Sequence, residues 1–356
     1  MFRIRQARVE DVDTLLKLAR MVFFINLPPD ARVIEDKIRW SNACFENVRG
    51  GKDAQDSSAL SGLTSLGGAA GRSPQFMFVI EDTQTGNPIG CSAVIQQMGS
   101  EDSPSVVLRL EKKEFFSSDL QSGTTHVTAT RELVTSGPSE IGGLIVAPSF
   151  RGHKEKLGKQ LSLVRFHYIG LHRERFKDRV IAEMMAPISG GTNPFWEHCA
   201  RRFINLTYEQ ADRFCQKSRE FMISLIPPDP IYLTLLPTAA RECVGKVGDE
   251  TLPARRMLEK IGFEFTDRVD PFDAGPVLVA ETDSIPHVTS TVRGAYAGTC
   301  KEAEASHEGM VSIDDKLGFR AIRTKYKLDG SFIQVPEGAL ELLDAQDTET
   351  LACTPF

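Results

Sequence analysis

Residues 139–175 contain the pattern that most constrains the fold of this 356-residue chain. An apolar segment, Ser139–Val146, reads as a strand, and a short basic turn containing Gly152 separates it from a helix predicted over 158–175. A strand that passes through a tight turn into a helix is typical of α/β domains. The N–H groups of such a turn and the positive end of the helix dipole both favour phosphate oxygens. The pattern therefore predicts an anion-binding turn in a mixed α/β domain.

The charge of this region differs from that of the whole chain. The formal net charge is −6, which argues against a broad nucleic-acid-binding surface. Residues 151–179 nevertheless hold nine basic residues against three acidic ones. Two interpretations are open, a solvated helix face or a site for a polyanionic ligand, and the glycine in the turn favours the second. The basic residues are Arg151, Lys154, Lys156, Lys159, Arg165, Arg173, Arg175, Lys177 and Arg179.

Composition indicates a globular protein with no structural metal. Apolar residues make up 41% of the chain and charged residues 25%, as in ordinary folded domains. Seven cysteines are scattered singly without metal-binding spacing, so we expect reduced thiols and a cytoplasmic protein. The first residues read as a strand rather than a signal peptide. No apolar run approaches the roughly 20 residues of a membrane span, so no membrane partner is expected.

Hydrophobic periodicity predicts alternating strands and helices along the chain. In the first half, strands are expected at 2–8, 76–81, 88–96 and 179–185, and helices at 10–22 and 30–45. Residues 50–74 and 98–130 read as flexible insertions, the second with short strands. In the second half, helices are expected at 194–203, 208–217, 219–225, 238–244 and 252–261, strands at 263–270 and 276–281, a polar stretch at 282–308, strands within 309–335 and a helix at 336–344.

Several common site types are excluded by their motifs. The chain has no Gly-Lys-Ser/Thr phosphate loop, no G-x-S-x-G nucleophile turn and no H-E-x-x-H zinc helix. It also lacks the G-x-G-x-x-G turn of dinucleotide-binding folds. The basic turn is therefore the principal candidate site.

This turn carries a family resemblance. From Val146 to Leu161 the chain reads V-x-P-x-x-R-G and then L-G-K-x-L, which resembles the acyl-CoA pyrophosphate loop of the GNAT superfamily of N-acetyltransferases. The rest of the chain is similar, more narrowly, to the arginine N-succinyltransferase family. Two rare strings carry most of this similarity, Pro-Phe-Trp-Glu at 194–197 and Phe-Asp-Ala-Gly-Pro at 272–276. Further strings follow the same order, among them Ser-Glu at 139–140, Val-Ile-Ala-Glu-Met at 180–184 and Pro-Ile-Tyr at 230–232.

The resemblance implies a GNAT-like N-acyltransferase with a mixed sheet flanked by helices and a small β-rich C-terminal subdomain. Residues 1–187 would bind acyl-CoA, 188–284 would complete the substrate cleft, and 285–356 would form the β-rich part. The implied reaction transfers a succinyl or similar acyl group from acyl-CoA to the α-amine of arginine or a related amino acid. The amine attacks the thioester directly, so no covalent intermediate and no metal are required. A homodimer is implied as well.

The acyl-CoA co-substrate, succinyl-CoA or another acyl-CoA, is assigned by this resemblance to the strand and the turn. The N–H groups of the turn would hold the pyrophosphate, and Arg151 and Lys159 would add positive charge. A main-chain N–H near 144–146 would meet the thioester oxygen. The candidate CoA-binding residues are Leu144, Val146, Arg151, Gly152, His153, Leu157, Gly158 and Lys159.

Three residues are candidates for acid–base catalysis. Glu140 and Glu183 lie on strands that the family fold would pair, and both would then face the substrate cleft. Either carboxylate can act as the base or bind the substrate guanidinium, and the alternative is a structural ion pair. Tyr232 is a candidate acid toward the sulfur, and the alternative is core packing with a satisfied hydroxyl.

Other residues fit structural roles at least as well as functional ones. His172 is expected on the surface of the predicted basic helix, and Phe195 and Trp196 read as a core anchor rather than a ligand platform. Arg320 and Arg323 can bind a carboxylate, but solvated arginines are common on strands.

The chain departs from the family pattern at three places, 21–28, 135–138 and 316–318. A polar loop is apolar at 22–25, which motivates the alternative of a same-fold acyltransferase with another donor or acceptor. The family's His-containing loop is absent at 135–138, which motivates the alternative of a non-catalytic protein that binds CoA or an amino acid.

Overall fold

The computed structural model describes residues 1–21, 27–54, 72–188, 190–215, 218–345 and 348–356. These ranges form a mixed α/β fold, which confirms the fold class predicted from the sequence. The strands are β1 Phe2–Gln6, β2 Gln75–Asp82, β3 Pro88–Ile95, β4 Ser105–Ser117, β5 Ser122–Val134, β6 Ser139–Val146, β7 Arg179–Glu183, β8 Ile231–Tyr232, β9 Glu264–Val269, β10 Pro276–Glu281, β11 Val292–Cys300, β12 His307–Asp315, β13 Gly318–Asp329, β14 Phe332–Pro336 and β15 Thr350–Pro355.

The helices agree with the sequence periodicity, with shifts of a few residues at their ends, except that α9 lies in the stretch read as polar at 282–308. Of the loop predicted at 50–74, residues 55–71 lie outside the described ranges, as does the apolar segment 22–26. The helices are α1 Val12–Met21, α2 Ala31–Arg49, α3 Leu157–Leu171, α4 Arg201–Ile204, α5 Tyr208–Cys215, α6 Glu220–Leu225, α7 Thr238–Cys243, α8 Leu252–Glu259, α9 Pro286–Thr289 and α10 Ala339–Leu342.

The chain divides into two compact units. The first comprises 1–96, 141–178 and 282–356, and the second comprises 97–140 and 179–281. The three regions expected from the sequence, 1–187, 188–284 and 285–356, stay a prediction.

The first unit is a sheet in the order β12, β15, β11, β14, β13, β1, β2, β3, β6. Strand β13 pairs antiparallel with β1, with Ile4 opposite Ala321, so the C-terminal strands extend the N-terminal sheet. Strand β11 lies inside the stretch read as polar at 282–308, because its small and polar residues do not alternate clearly. No prediction covered β15.

Helices α1 and α2 cover one face of this sheet. Asp30 caps α2 by accepting hydrogen bonds from the N–H groups of Arg32 and Val33, at 2.9 and 3.3 Å. The apolar side of each helix packs on alternate residues of β2 and β3. The buried side chains include Leu15, Leu18, Ile34, Ile38, Met77, Val79, Cys91 and Ala93.

An aromatic cluster forms a second part of this core. Tyr168 of α3 contacts the rings of Phe76 and Phe78 at centroid distances of 4.8 and 5.5 Å. Phe45 and Phe319 complete the cluster, and all five rings are at most 1% exposed. The side chains of α3 are buried from 160 to 169, so this helix is held by packing rather than by solvation.

His167 of α3 is buried in a hydroxyl network. Its Nδ1 lies 2.5 Å from Thr354 Oγ1 and its Nε2 lies 2.6 Å from Ser312 Oγ. Burial, with charge from His172 and Arg293, lowers the pKa of His167 to about 3.

Because the unfolded chain binds a proton at His167 near pH 6.5 and the folded chain does not, stability should fall with acidity below that pH. Between pH 6.5 and 5 this one group should remove about 2 kcal/mol of unfolding free energy. Urea unfolding at both pH values tests this, with His167→Gln as the comparison. An equal pH dependence in the two proteins would contradict the assignment.

The second unit is a sheet in the order β7, β10, β9, β4, β5, β8, and the start of β6 pairs with β7. Residues 98–130, read as a flexible insertion, contain most of a long hairpin in which β4 and β5 pair from Ser105–Val134 to Ser117–Ser122. Its outer half is exposed on both faces, with Phe116 67% exposed. Because no buried face imposes an apolar alternation there, the sequence pattern indicated only fragments of it.

The two rare sequence strings pack on each other in this unit. The Trp196 ring stacks on Phe272 at 4.8 Å and 10°, and Tyr208 meets both rings edge-on. Asn193 starts the local helix because its Oδ1 accepts hydrogen bonds from the N–H groups of Phe195 and Trp196. Phe195 and Trp196 are fully buried, as expected for a core anchor.

In the part of the chain that the structure describes, none of the helices has the length and apolar character needed to cross a membrane.

Candidate functional site: a basic turn and a carboxylate cluster

The basic turn begins where β6 ends. A short 3₁₀ turn at Pro148–Phe150 leads to Gly152, whose φ is +74°. A Cβ at Gly152 would meet no atom within 4 Å, so glycine is there for its backbone conformation and not for lack of space. Lys156 is also left-handed, with a φ of 52°, and α3 starts at the next residue.

The N–H groups of the turn fall into two sets. Those of Arg151, His153 and Lys156 donate to main-chain carbonyls inside the turn, and that of Lys159 bonds the Lys156 carbonyl at 2.9 Å. The other N–H groups have no hydrogen-bond partner within the described ranges and stay available for an anion. They belong to Gly152, Lys154, Leu157 and Gly158.

His153 supports the turn through its ring. Its Nδ1 accepts the N–H of Glu155 at 3.2 Å, and its ring meets Phe2 edge-on at 5.1 Å. The Arg151 Nε donates to the Val146 carbonyl at 3.3 Å, which holds this exposed side chain across the turn. Arg151 and His153 therefore both stabilise the conformation of the turn. Arg151 also adds a positive charge, and His153 adds a ring nitrogen.

Arg323 joins the turn from β13, which sequence spacing could not reveal. Its Nη1 donates to the Glu155 carbonyl at 3.2 Å, and its guanidinium lies 5.6 Å from the Phe356 ring centre. The Lys159 Nζ lies 5.2 Å from the same ring. Burial, with the nearby Lys156 and Arg323 charges, lowers the pKa of Lys159. Lys159 and Arg323 thus lie on one ring beside the turn, and Arg323 also pairs with Glu308 at 2.5 Å.

The basic stretch 151–179 is not a solvated helix face. Of its residues on α3, Arg165 is only 3% exposed and bonds the Ser162 and Gly142 carbonyls. Arg173 pairs with Asp283 and Asp178 at 2.6 and 2.8 Å. Arg151, Lys154, Lys156 and Lys159 at the head of α3 are exposed or half-exposed, which favours the anion-site interpretation for the turn.

Strand β6 presents Leu144 and Val146 on its half-exposed side, while Ile141 and Ile145 are buried. Gly143 between them has a φ of 60°, so the strand is irregular at this point. The Val146 side chain would meet a Cβ placed at Gly158 at 3.8 Å, an ordinary contact. Strand end and helix start therefore lie side by side.

The second unit holds the two glutamates on adjacent strands. Strands β6 and β7 pair in parallel, with Glu140 opposite Ile181. Since Ile181 and Glu183 share a face of β7, Glu140 and Glu183 point to the same side, one diagonal step apart. Glu140 is 2% exposed, whereas Glu183 is partly exposed. The strand pairing assumed from the sequence is confirmed.

The two glutamates interact electrostatically with neighbouring carboxyl groups and with Arg219. Burial, the Glu140 charge and then the Asp270 charge raise the pKa of Glu183 well above its usual value. The positive charge of Arg219 opposes this shift, because it lowers the pKa of Glu183. Burial alone would lower the pKa of Arg219, but the surrounding negative charges, led by Glu183, raise it overall. The carboxyl groups that act on Arg219 are those of Glu183, Glu140 and Asp270.

Asp270 and Asp273 accept hydrogen bonds from main-chain N–H groups. The Asp270 Oδ1 accepts the Phe272 N–H at 2.6 Å. Asp273 accepts the N–H groups of Ala186 and Gly275 at 2.9 and 2.7 Å. Burial and the Asp270 charge raise the pKa of Asp273 to about 7. These carboxyls hold the turn between β9 and β10.

Tyr232 is not beside the glutamates in the sheet. It lies on β8, opposite Thr128, and four strands separate β8 from β7 in the sheet order. Five spacings between neighbouring strands, each of about 4.8 Å, put β8 roughly 24 Å from β7 along the sheet. Its ring contacts His126 at 5.9 Å, and the His126 Nδ1 lies 2.9 Å from Thr234 Oγ1. The role of Tyr232 as an acid stays a prediction.

The remaining arginine and histidine candidates are explained by packing. Arg320 is 1% exposed, bonds both Asp315 oxygens at 2.8 Å and donates to the Leu343 carbonyl at 2.6 Å. His172 is half-buried against Tyr168, with ring centres 4.6 Å apart, and burial lowers its pKa to about 4. Neither residue joins the turn or the carboxylate group.

Among the described residues no group of three or more His, Cys, Asp and Glu side chains is arranged to hold a metal ion. The cysteines, Cys44, Cys91, Cys199, Cys215, Cys243, Cys300 and Cys353, are all buried and free.

Known proteins are similar to this chain in sequence and in fold. The family described as arginine N-succinyltransferase beta subunit matches residues 2–287. The arginine N-succinyltransferases of Escherichia coli K12 / DH10B and of Escherichia coli O157:H7 EC4115 are each 34% identical over 212 residues, 59% of this chain. The chain spans 61% of the length of these relatives in those matches.

A solved structure extends the similarity to the whole fold. The arginine/ornithine succinyltransferase subunit AI of Pseudomonas aeruginosa aligns with a TM-score of 0.78 over 100% of this chain and 98% of that chain, at 24% identity. The two proteins share the same fold. The family match covers most of the residues of this chain. The chain therefore belongs to the arginine N-succinyltransferase family.

Proposed function

We propose that this protein transfers a succinyl group from succinyl-CoA to the α-amine of arginine. The carboxyl groups gathered around the partly exposed Glu183 carry this proposal. Carboxyl groups attract a cationic acceptor, and arginine brings both an ammonium and a guanidinium. A neutral amine would bind less favourably beside these carboxyl groups.

Glu183 is the proposed general base. Its partial exposure leaves it accessible to a substrate, and its raised pKa suits proton transfer near neutral pH better than that of an ordinary carboxylate. It takes a proton from the α-ammonium, and the amine nitrogen then bonds to the thioester carbon. The C–S bond breaks, CoA leaves as a thiolate that gains a proton, and the amide nitrogen loses its extra proton.

Glu140 is proposed to position the acceptor and to tune the base. It is buried beside Glu183 on the paired strand, and its charge is the strongest charge effect on the pKa of Glu183. A carboxylate in this position can also accept hydrogen bonds from the acceptor guanidinium. Asp270 and Asp273 hold the neighbouring turn and are not assigned a chemical step.

The turn fits the pyrophosphate of acyl-CoA. Four N–H groups without a partner in the described ranges, the start of α3 and the Lys159–Arg323 pair of cations supply what a diphosphate needs. The thioester oxygen is assigned to a main-chain N–H at 144–146. The acyl-CoA supplies the activated acyl carbon, and the residues of the turn only bind and orient it.

The decisive experiment measures free thiol released from succinyl-CoA with a panel of amines that includes arginine and ornithine. Release that depends on arginine supports the proposal. Release with a different amine or acyl-CoA would favour the same fold with another substrate pair. Binding of CoA without turnover of any amine would refute catalysis and favour a binding protein.

Arg151→Ala should weaken CoA binding about tenfold, because it removes one positive charge and the side chain that braces the turn to the Val146 carbonyl. Calorimetric titration with CoA measures the change. Arg20→Ala on α1, another exposed arginine, is the control and should leave the affinity unchanged. Equal affinities in the two variants would contradict the assignment of the turn.

A cytoplasmic homodimer is the proposed state of the protein. The free, buried thiols support a reducing compartment. Sedimentation analysis measures the mass directly, and a 39.4 kDa species at micromolar concentration would refute the dimer.

A further inference from the structure

Phe356 lies beside the basic turn, although no sequence pattern singles it out. The Lys159 Nζ lies 5.2 Å from the centre of its ring, and the Arg323 Cζ lies 5.6 Å from the same centre. Both distances fall within the roughly 6 Å over which a cation is attracted to an aromatic face. One half-buried ring therefore holds two cations of the candidate site.

The main chain places Phe356 independently of its ring. The Phe356 N–H donates to the Glu308 carbonyl at 3.1 Å, next to the pair that Pro355 of β15 forms with Gly309 of β12. A substitution of the ring leaves this hydrogen bond intact. The effect of such a substitution therefore reports on what the ring contacts.

Lys159 has the ring as its principal contact. Its ammonium makes no hydrogen bond or ion pair with any residue that the structure describes. Burial and the charges of Lys156 and Arg323 lower the pKa of Lys159, and the Glu308 charge acts in the opposite direction. The ring therefore offsets part of the cost of holding an ammonium next to two other cations.

Arg323 has two polar partners besides the ring. Its Nη1 donates to the Glu155 carbonyl at 3.2 Å, and its Nη2 pairs with a Glu308 oxygen at 2.5 Å. The Glu308 side chain is 51% exposed, so water weakens this ion pair. The buried Nε has no hydrogen-bond partner among the described residues. The protein therefore does not fill the hydrogen-bonding capacity of this guanidinium.

We propose that Phe356 is a positioning residue for the pyrophosphate of acyl-CoA, because its ring holds the Lys159 ammonium and the Arg323 guanidinium together as a two-cation clamp. The inference rests on the proposed function, in which the turn binds this pyrophosphate. Two like charges repel each other and would otherwise turn toward water. A clamp that is formed before binding loses less side-chain entropy when the anion arrives.

The test removes the aromatic face and then restores it. Phe356→Leu keeps an apolar side chain without the face, and Phe356→Tyr keeps the face. Calorimetric titration with CoA and with inorganic pyrophosphate should give affinities about five- to tenfold weaker in Phe356→Leu and near wild type in Phe356→Tyr. Pantetheine, the thiol arm of CoA without phosphates, should bind all three proteins equally. Phe332→Leu, at a 55% exposed phenylalanine of β14, is the matched control and should change no affinity.

Steady-state kinetics separate positioning from a structural role. Phe356→Leu should raise KM for succinyl-CoA about five- to tenfold and leave kcat and the KM for arginine unchanged, since the clamp contacts only the pyrophosphate. A loss of folded enzyme would instead lower kcat at constant KM. In Lys159→Met, which already lacks the ammonium, Phe356→Leu should have a smaller effect than in wild type.

Each outcome has one meaning. Equal affinities of wild type and Phe356→Leu for CoA and pyrophosphate would overturn the inference while the reaction itself stands. An equal loss with pantetheine, or a loss that Phe356→Tyr does not restore, would overturn it as well. If wild type transfers no acyl group, the proposed function fails, and the pyrophosphate titrations then test the clamp alone. Wild type that binds neither CoA nor pyrophosphate would refute both. Melting temperatures establish that the variants fold, and Phe356→Met replaces Phe356→Leu if that variant does not.

Discussion

Glu183→Gln should lower kcat/KM for arginine by about 10²- to 10⁴-fold, the usual contribution of a general base. The substitution keeps the size of the side chain and removes its ability to take a proton. Glu264→Gln, on an exposed position of β9 in the same unit, is the control and should keep full activity. Thiol-release kinetics with succinyl-CoA measure both variants.

The pH profile gives this prediction a second readout. Because the Glu140 charge raises the pKa of Glu183, Glu140→Gln should move the acidic limb of kcat/KM to lower pH. The limb is the pH range in which the base gains its proton and activity falls. An acidic limb that stays in place in Glu140→Gln would mean that Glu183 is not the titrating base.

Glu183→Gln should increase the stability of the protein although it lowers the activity. A carboxyl whose pKa is raised on folding binds a proton more tightly in the folded chain, so stability falls as pH rises from the unfolded value toward the raised one. Glu183→Gln removes this loss and should raise the unfolding free energy at neutral pH. Denaturant unfolding at pH 5 and 7.5 measures it, and a variant that is both inactive and less stable would indicate a structural role instead.

Gly275→Ala should destabilise the protein by about 3 kcal/mol or more, the upper end of the cost of overpacking. A Cβ at this position would overlap the Met184 carbonyl oxygen and lie 3.0 Å from the Ala186 nitrogen. Both neighbours are main chain and cannot rotate away. Since Met184 follows Glu183, the strain should also reach the proposed base.

Ala274→Gly is the matched control in the same turn. Ala274 has a φ of 60°, a conformation that costs a non-glycine residue about 1 kcal/mol. Glycine relieves that strain while losing one buried methyl, so the change in stability should be small. Thermal and urea unfolding of both variants test the pair, and equal stabilities would contradict the steric explanation.

Local patterns in the sequence were sufficient to predict the main structural elements of the candidate site. The apolar run at 139–146, the glycine in the turn and the helix after it are each visible in a few neighbouring residues. The parallel pairing of β6 with β7, which brings Glu140 and Glu183 to one face, followed from the family resemblance. The hairpin β4–β5 was indicated only in fragments, because paired strands with two exposed faces carry no apolar alternation.

Long-range pairing decided which charged residues act together. Arg320 and Arg323 are three residues apart, yet one is buried against Asp315 and the other reaches the turn at Glu155. Successive strand residues face opposite sides, but only the packed neighbours decide what each side contacts.

The sequence alone therefore determined the family, the mixed α/β fold and the strand–turn–helix that is proposed to hold a phosphate, because these depend on residues close together in the chain. Only the tertiary structure decided that Arg165 is buried and that Arg219 lies near several carboxyl groups. The physical reason is that burial and electrostatic interaction depend on distance in space, which a linear pattern does not contain.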